Sequence, residues 1–397
     1  MNMLFLTLLD FDTLDEQNIY TDLLRTFVKK GHNITVISPV ERKKNKQTHL
    51  MDKNGYRLLK LKIGNIQKTN IIEKGLSTIL IENQFKSAIK KYFKNIKFDL
   101  VMYSTPPITF ANVVKYVKKR DNAKSYLLLK DIFPQNAVDL GMFSKQSLLY
   151  WFFRLKERKL YKISDRIGCM SEANVRYLLN HNLDLNKNKV AVCPNAIEVK
   201  DTCLSVDEKQ IIREKYGIPS DKTVFIYGGN LGKPQGIDFL INCMKSQENN
   251  EDVFFFLVGS GTEYSKLNNY LSESGQKNLS LMDYVSREDF DKIVASCDIG
   301  MIFLDKRFTI PNFPSRLLSY MQAGIPTYAI TDVNSDVGAV IKDNDFGWWS
   351  ESGNLEAFMS TIKEISKIDF SGKGENARKY LLDNYTVENN YKIIMEQ

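Results

Sequence analysis

The chain has 397 residues, of which 43% are hydrophobic and 26% are charged. This length allows two domains with full cores, and the composition is typical of a globular protein and excludes a disordered one. No stretch approaches the roughly 18–20 apolar residues that a membrane-spanning helix needs. The first residues carry no basic region, so residues 3–9 are expected to form a strand and not a secretory signal.

Charge is divided unevenly along the chain. Residues 1–200 hold 35 Lys and Arg against 18 Asp and Glu, whereas the remainder holds 20 against 29. A basic half attracts anionic surfaces such as membrane headgroups. A coding bias toward lysine on solvated helices is the alternative, and it stays open. The acidic second half argues against nucleic acid as a partner. Five cysteines without a CxxC pair indicate free thiols in a reducing cytosol.

The first half of the chain alternates strands with helices. Strands are predicted at residues 3–9, 33–38, 99–103, 125–129, 166–170 and 190–192, and helices at 18–30, 108–119, 147–163 and from Glu172 onward. This β-α-β spacing predicts a parallel sheet with right-handed crossovers. The first Rossmann-like domain is therefore placed at residues 1–198.

The second half repeats the alternation after a charged linker at residues 199–222 that includes a short helix. Strands are predicted at residues 224–227, 253–258, 279–281, 299–303 and 327–330. The fold class is α/β, with a second doubly wound domain at 199–374 and a terminal helix, within 375–397, packing back on the first domain. Ligands of open α/β sheets lie beyond the carboxyl ends of the strands. Two such domains are expected to face a central cleft.

A glycine-rich segment follows the first strand of the second domain. Gly228, Gly229, Gly232 and Gly236 lie between an apolar strand and an amphipathic helix. Glycines allow a sharp turn or the close approach of a ligand, and a helix N-terminus attracts phosphate. The segment predicts an anion site, although its spacing matches neither the Walker loop nor the dinucleotide fingerprint. An ordinary β-α loop remains the alternative.

A second candidate is the segment from Phe313 to Pro326. Pro314 and Ser315 predict a helix start, with Ser315 as its cap. Arg316 then falls in the first turn, where a cation opposes the helix dipole. A bound diphosphate would remove that conflict, so function is expected at Arg316. The alternative is a surface arginine that pairs with an acidic neighbour.

The first domain supplies two more candidates. Asp131 follows a buried strand within Lys130–Gly141, where a carboxylate can orient a sugar hydroxyl or take its proton. A capping Asp before a proline turn is the alternative. Asp10 and Asp12 form an Asp-x-Asp pattern that could suit Mg²⁺ or Mn²⁺. No third ligand is evident, so a substrate contact or a helix cap is favoured over a metal site.

Residues 148–161 combine aromatic side chains with five nearby cations, Arg154, Lys156, Arg158, Lys159 and Lys162. An interfacial membrane helix is one interpretation of this pattern. A core helix with one solvated face is the other, and it is favoured.

In these residues the chain resembles the GT-B-fold retaining glycosyltransferases of family 4, and within them the fucosaminyltransferase-like branch of bacterial capsule and O-antigen enzymes. The matching motifs extend over nearly the whole chain, and their order is the specific feature. They are Tyr20-Thr-Asp-Leu, Gly31-His32, Val36-Ile-Ser-Pro39, Lys130 to Gly141, Pro194-Asn195, Gly229-Asn-Leu-Gly232, Gln235-Gly236, Val258-Gly-Ser-Gly261, Pro314-Ser-Arg316 and Ala323-Gly-Ile-Pro326.

The resemblance implies retaining transfer of a hexosyl or N-acetylhexosaminyl group from a nucleotide-sugar, a UDP-sugar, to a polyprenyl-diphosphate-linked glycan. It implies no cofactor and no metal, and a cytoplasmic enzyme that is peripheral on the inner face of the cell membrane. Asp131 and Arg316 would be catalytic. The acceptor would contact Asp15, Gln17, Asn18, Lys130 and Gln135. The donor would contact Gly229, Asn230, Leu231, Gly232, Lys233, Gln235, Gly261, Tyr284, Val285, Pro314, Ser315, Arg316 and Ser319. Its diphosphate would take the backbone amides of residues 229–232.

The chain departs from the family pattern at several of these positions. Asn230 and Gln235 stand where many members have Arg and Lys, and Pro311 and Ser319 replace a pair of glutamates. Asp131 lies where a catalytic His is common. These departures keep three alternatives open: a non-catalytic partner of another transferase, a nucleotide-sugar epimerase of the same fold, and a peripheral membrane scaffold.

Overall fold

The computed structural model describes residues 1–66, 69, 71–202 and 204–396. Two compact units make up the chain. The first contains Met1–Glu198 together with Val387–Gln397, and the second contains Val199–Thr386. Four cysteines of the described residues are free and buried; Cys203, the fifth, lies outside the described residues.

The first unit is built on an eight-stranded sheet in the order β3-β4-β2-β1-β5-β6-β7-β8, parallel except for the β3–β4 pair. Its strands are β1 (Asn2–Leu6), β2 (Asn33–Glu41), β3 (His49–Lys53), β4 (Tyr56–Ile63), β5 (Leu100–Ser104), β6 (Lys124–Leu129), β7 (Arg166–Cys169) and β8 (Val190–Val192). Its helices before the second unit are α1 (Ile19–Lys29), α2 (Ile71–Tyr92), α3 (Ala111–Asp121), α4 (Gln135–Asp139), α5 (Leu148–Ile163) and α6 (Glu172–His181).

The second unit has a six-stranded, fully parallel sheet in the order β11-β10-β9-β12-β13-β14. Its strands are β9 (Thr223–Asn230), β10 (Val253–Ser260), β11 (Leu279–Met282), β12 (Ile299–Phe303), β13 (Thr327–Thr331) and β14 (Gly347–Glu351). Its helices are α7 (Val206–Tyr216), α8 (Ile237–Ser246), α9 (Tyr264–Ser274), α10 (Arg287–Ser296), α11 (Arg316–Ala323), α12 (Val337–Asp343), α13 (Leu355–Ile365) and α14 (Ser371–Asn384).

Helices on both faces of each sheet explain the apolar strands. Phe255, Phe256 and Leu257 of β10 are fully buried although they point to alternate faces. Strands that are covered on both sides need such continuous apolar runs. Each unit therefore has the α/β, Rossmann-like architecture expected from the alternating pattern.

The C-terminal segment differs from the expected single helix within 375–397. Helix α14 stays in the second unit and packs against α11, and Gly374 comes so close to Gly324 that a Cβ would overlap its carbonyl oxygen. A final helix, α15 (Val387–Met395), returns to the first unit and contacts α1. The break falls at Tyr385–Thr386, after which the Val387 N–H donates to the Ile197 carbonyl at 3.2 Å. The expected boundary at residue 374 is therefore wrong, and the second unit ends at Thr386.

Candidate functional site

The glycine-rich segment of the second unit begins as strand, where the sequence predicted a turn. Residues 228–230 continue β9 and pair in register with Val258, Gly259 and Ser260 of β10. A side chain on Gly259 would overlap the Gly229 carbonyl oxygen. Gly229 itself has φ +115°, a conformation that favours glycine. The glycines thus allow two strand ends to approach each other closely at the carboxyl edge of the sheet.

Two of the backbone amides expected to bind diphosphate already have partners inside the protein. The Leu231 N–H donates to the Ser260 carbonyl at 2.9 Å, and the Gly232 N–H donates to Gln235 Oε1 at 3.2 Å. Gln235 is buried and also accepts from Asn230 Nδ2 at 3.1 Å. Gln235 and Asn230 therefore hold the turn in shape, and the expectation of free amides is wrong at Leu231 and Gly232. Lys233 is exposed beside them.

Arg316 brings a cation to this turn from the first residue of α11. Its guanidinium carbon lies 4.2 Å from the centre of the Tyr227 ring. Nη2 lies 3.7 Å from the place that a Cβ of Gly229 would take. Nη1 is buried and has no hydrogen-bond partner. Leaving a buried charged donor unpaired is costly, so this atom is suited to receive an anion that enters beside Gly229.

The neighbours of Arg316 fix the position of the turn. The Tyr227 hydroxyl donates to the Asn230 carbonyl at 2.9 Å, and the Tyr320 hydroxyl accepts the Gly228 N–H at 3.3 Å. Tyr320 also donates to the Met301 carbonyl at 2.9 Å. Burial raises the pKa of both phenols, so they remain neutral donors. β9, β12 and α11 are thereby joined around the guanidinium.

Ser315 does not have the capping role that the sequence predicted. Its backbone is helical, with φ −63° and ψ −20°, and its side chain makes no capping hydrogen bond to α11. Ser319, one turn after Ser315, is buried and accepts a hydrogen bond from Arg287 Nη2 at 3.2 Å. Arg287 also pairs with Asp291 at 3.1 Å. Sequence reasoning missed Arg287, because Arg287 and Ser319 lie on different helices and are 32 residues apart in the sequence.

The remaining donor candidates lie on loops of the second unit. Gly261 is exposed and comes close to the backbone of Leu231. Tyr284 is 81% exposed, and Val285 is half-buried before α10. Pro314 is half-buried just before Ser315. Among the predicted donor residues, Gly229 and Arg316 bring a cation close to the glycine-rich turn.

In the first unit, Asp131 begins the segment after β6. Its N–H and that of Lys130 both donate to Thr105 Oγ1, at 3.1 and 2.9 Å. Asp131 is exposed as a residue, but the protein packed around its carboxyl group raises the pKa of Asp131 to about 6. A carboxylate with such a pKa can accept a proton near neutral pH.

Lys130, predicted to contact the acceptor, uses its ammonium within the protein. Its ammonium donates to the carbonyl oxygens of Cys193 and Pro194 at 3.3 and 3.2 Å. Burial lowers the pKa of Lys130 to about 8. The side chain joins the end of β6 to the segment after β8, which is a structural role.

The other acceptor candidates have mostly local partners. Asn18 caps α1 and accepts hydrogen bonds from the backbone N–H groups of Tyr20 and Thr21, both at 3.0 Å. Asp15 accepts a hydrogen bond from the Thr13 hydroxyl at 2.8 Å. Gln135 donates to Asp139 Oδ1 at 2.8 Å. Gln17 is exposed. Asn18 and Gln135 therefore stabilise helix ends, and nothing in their geometry singles out an acceptor.

The Asp-x-Asp pattern is neutralised by lysines. Lys60 of β4 is fully buried, and its ammonium contacts Asp10 and lies 3.1 Å from Asp12 Oδ1. Lys44 pairs with Asp10 at 2.7 Å, and Lys46 pairs with Asp12 at 3.2 Å. The hydrogen bond from Lys60 holds the pKa of Asp12 below its ordinary value. Among the described residues no group of three or more His, Cys, Asp or Glu could hold a metal ion.

Comparison with known proteins finds a similarity to one family within the second unit. Residues 208–383 match the model of the family described as "Glycosyl transferases group 1". Among curated proteins, the chain is 23% identical to the glycosyltransferase WbjE of Pseudomonas aeruginosa over 321 residues, 80% of this chain and 78% of that one. It is 20% identical to the colanic acid biosynthesis glycosyl transferase WcaI of Escherichia coli, over 68% of this chain and 66% of that one.

Solved structures agree on the fold. Sucrose-phosphate synthase from Thermosynechococcus elongatus superposes with a TM-score of 0.79 at 14% identity, over 100% of this chain and 98% of that one. The Anabaena protein HepE in complex with UDP superposes with a TM-score of 0.69 at 14% identity, over 100% and 99%. The fold is GT-B, with two Rossmann-like units. The family match covers less than half of the chain, so the comparisons show the GT-B fold and a similarity to group 1 glycosyltransferases.

Proposed function

We propose that this protein is a group 1 glycosyltransferase that uses a nucleotide-sugar, a UDP-sugar, and retains the anomeric configuration during transfer. The acceptor is a polyprenyl-diphosphate-linked glycan of a bacterial surface polysaccharide, and the enzyme works on the cytoplasmic face of the cell membrane. The observation that carries the donor side is the buried, unpartnered Nη1 of Arg316, with Nη2 next to Gly229. UDP is favoured because HepE, which shares the fold, is found with UDP. The surface-polysaccharide role is favoured by the similarity to WcaI, a protein named for colanic acid biosynthesis.

The chemistry of the donor side is stabilisation of a leaving group. When the glycosidic bond to the diphosphate breaks, negative charge develops on the diphosphate oxygens. A guanidinium held in place by Tyr227 can meet that charge without reorganising, which is the condition for strong electrostatic stabilisation. Because Leu231 and Gly232 already use their amides, Arg316 supplies the main charge at this edge of the sheet.

On the acceptor side, the proposed catalytic group is the carboxylate of Asp131. Above pH 6 its carboxylate is ionised and can orient an acceptor hydroxyl or accept its proton. The N–H of Asp131 and that of Lys130 before it both donate to Thr105, so the backbone that carries the carboxyl group is fixed at the end of β6.

Replacement of Arg316 tests the donor side. Arg316→Ala is expected to lower kcat with a UDP-sugar by about 100- to 1000-fold, the loss that follows removal of one oxyanion donor. Arg316→Lys keeps the charge but not the planar group, and is expected to restore part of the rate. Arg307→Ala is the control, because Arg307 is spent on Asp305 at 2.7 Å. Near-normal turnover in Arg316→Ala would remove the basis of the assignment.

The same assay separates a non-catalytic partner and an epimerase from a transferase. These alternatives arise because Pro311 and Ser319 replace the family's pair of glutamates. Protein that binds the nucleotide-sugar without ever turning it over with a lipid-linked acceptor would be a non-catalytic partner. Conversion of the donor in the absence of any acceptor would identify an epimerase.

Metal independence is part of the proposal. Asp10 and Asp12 are paired with Lys44, Lys46 and Lys60. We therefore do not expect these two carboxylates to bind a divalent ion whose removal would change activity. We expect turnover to be unchanged after dialysis against EDTA, measured as sugar transfer per minute. Loss of activity that returns on addition of Mn²⁺ would contradict this.

A further inference from the structure

The N-terminal half of α5 exposes apolar side chains on one face. Leu148, Trp151 and Leu155 are 89%, 56% and 65% exposed. Their spacing of three and four residues places them one above the other on the helix surface. Phe152 lies beside them and is also exposed. Isolated exposed apolar residues are common, but a continuous group of this kind marks an interaction surface.

The opposite face of α5 anchors the helix independently of these residues. Tyr150, Leu160 and Tyr161 are buried, and the buried Glu157 accepts a hydrogen bond from the Tyr161 hydroxyl at 2.7 Å. Arg154 pairs with the same carboxylate. The interpretation as a core helix with one solvated face therefore describes the buried side correctly. It leaves the apolar residues of the solvated side, Leu148, Trp151, Phe152 and Leu155, without a function in the fold.

Cations continue the exposed face toward the C-terminus of α5. Arg158 and Lys162 follow Leu155 at the same helical spacing, and both reach Asp184, at 3.3 and 2.8 Å. A single carboxylate thus faces two cations. Lys159 donates to the neutral Asn112 amide oxygen at 2.6 Å, which leaves its charge uncompensated by that contact. Lys145, just before the helix, is exposed. The surface combines exposed apolar groups with an excess of positive charge.

We propose that this face of α5, formed by Leu148, Trp151, Phe152 and Leu155 and flanked by Lys145, Lys159 and Lys162, docks on an anionic lipid bilayer. Apolar insertion and attraction to anionic headgroups act together in such surfaces, and Trp suits the interface because its ring is amphipathic. A second copy of the chain fits less well, because a symmetric pair would bring like charges together. The excess of cations over residues 1–200 acts in the same direction.

The inference rests on the proposed function only for the presence of a membrane, so binding to lipid and binding to nucleotide are measured separately. The probe is a vesicle of phosphatidylcholine with 30 mol% phosphatidylglycerol, compared with phosphatidylcholine alone. The full chain is expected to cosediment with the anionic vesicles at least tenfold more than with the neutral ones. The triple variant Leu148→Ser, Trp151→Ser, Leu155→Ser is expected to lose at least tenfold of that binding.

Three further measurements guard against a trivial result. Val206→Ser with Ile211→Ser removes exposed apolar residues from α7 of the second unit and is expected to bind vesicles like the unmodified chain. Trp151 fluorescence is expected to shift to the blue on binding and to be quenched by brominated acyl chains, since Trp348 and Trp349 are less exposed. Thermal shift with UDP should be the same in the triple variant, which shows that it is folded.

Equal vesicle binding by the triple variant, or no preference for anionic vesicles, would overturn the inference. So would concentration-dependent dimerisation that the triple variant abolishes while vesicle binding is absent. None of these outcomes affects the donor assignment, which is tested by UDP binding and turnover.

Discussion

At the scale of single residues, the two most informative cations of the chain differ in how their charges are satisfied. Lys60 is fully buried, but two carboxylates and a backbone carbonyl surround its ammonium. Arg316 has a ring on one side and a buried nitrogen with no partner on the other. Burying a charge is costly unless it is paired. Lys60 is therefore a structural residue, whereas the unpaired nitrogen of Arg316 is the basis of the proposed donor site.

The raised pKa of Asp131 predicts how the stability of the folded protein changes with pH. The pKa of a free Asp is near 3.8 and that of Asp131 is about 6, so folding disfavours its ionised form. The resulting loss of stability is absent below pH 3.8, grows as pH rises to 6 and is complete above it. Asp131→Asn removes this loss. We expect the variant to unfold at a higher temperature than the unmodified chain at pH 7.5, with a smaller difference at pH 4.5.

Scanning calorimetry at the two pH values measures this difference, and a variant without any gain at pH 7.5 would contradict the raised pKa. The same substitution reports on catalysis. If Asp131 acts as a base, transfer by the unmodified chain falls as pH drops through 6, and Asp131→Asn is slow at every pH. Asp139→Asn is the matched control on α4.

The sequence predicted some residues of the site and not others, for a physical reason. Arg316 could be singled out because a cation in the first turn of a helix is locally unfavourable. The direction of Lys130 could not be foreseen, since its ammonium bonds to carbonyls 63 and 64 residues away. Gln235 likewise looked like a ligand contact. Its role as an acceptor for the Gly232 N–H depends on how a short 3₁₀ segment folds back.

At the scale of elements, the ends of β9 and β10 define the turn. The sequence indicated a turn from Gly228 onward because glycine is unfavourable within strands. Pairing with β10 overrides that preference and carries β9 to Asn230. The β3–β4 hairpin was not predicted either, because its charged residues, such as Asp52 and Arg57, give little apolar alternation. Alternation of buried strands and helices was by contrast strong enough to predict the other strands of both sheets except β14.

Substitution of Gly259 tests whether the ends of β9 and β10 approach each other as closely as the structure shows. A methyl group at Gly259 would overlap the Gly229 carbonyl oxygen, so the strand ends would have to separate. We expect Gly259→Ala to lower the free energy of unfolding by about 3 kcal/mol, at the upper end of the cost of overpacking. It should also weaken UDP binding, because Gly229 and Leu231 would move.

Urea unfolding and titration with UDP measure the two effects. Gly372→Ala is the control, since Gly372 is exposed in the first turn of α14 with no atom within 4 Å of an added Cβ. That variant should be as stable as the unmodified chain or slightly more stable. Equal stability of the two variants would mean that the strand ends are not in contact.

At the scale of the whole molecule, the chain leaves the first unit after Glu198 and returns to it at Val387. The sequence placed the first division at the same residue, where a strand exit meets a charged linker. It misplaced the second, because the packing of α14 on α11 depends on the approach of Gly374 to Gly324. No local pattern of residues encodes that approach.

The return of the chain makes α15 part of the first unit's core, and its removal is the last test. The Tyr391 ring lies 4.9 Å from the Phe27 ring, and its hydroxyl lies 2.9 Å from His32 Nε2. Asn390 donates to the Pro194 carbonyl at 2.7 Å, and Val387 is fully buried. Deletion of residues 387–397 exposes these partners, and each buried aliphatic side chain contributes roughly 1.5–3 kcal/mol. We expect α1 and β2 to lose most of their protection from hydrogen exchange.

β9 and β10 should keep their protection in the same experiment, since they belong to the second unit whereas α15 belongs to the first. Deletion of residues 396–397 alone is the control and should leave exchange unchanged, because Glu396 is exposed. Hydrogen exchange read by mass spectrometry resolves these segments separately. Uniform loss of protection in both units would show that they unfold as one cooperative body, and unchanged protection in α1 would show that the final helix contributes nothing to the first core.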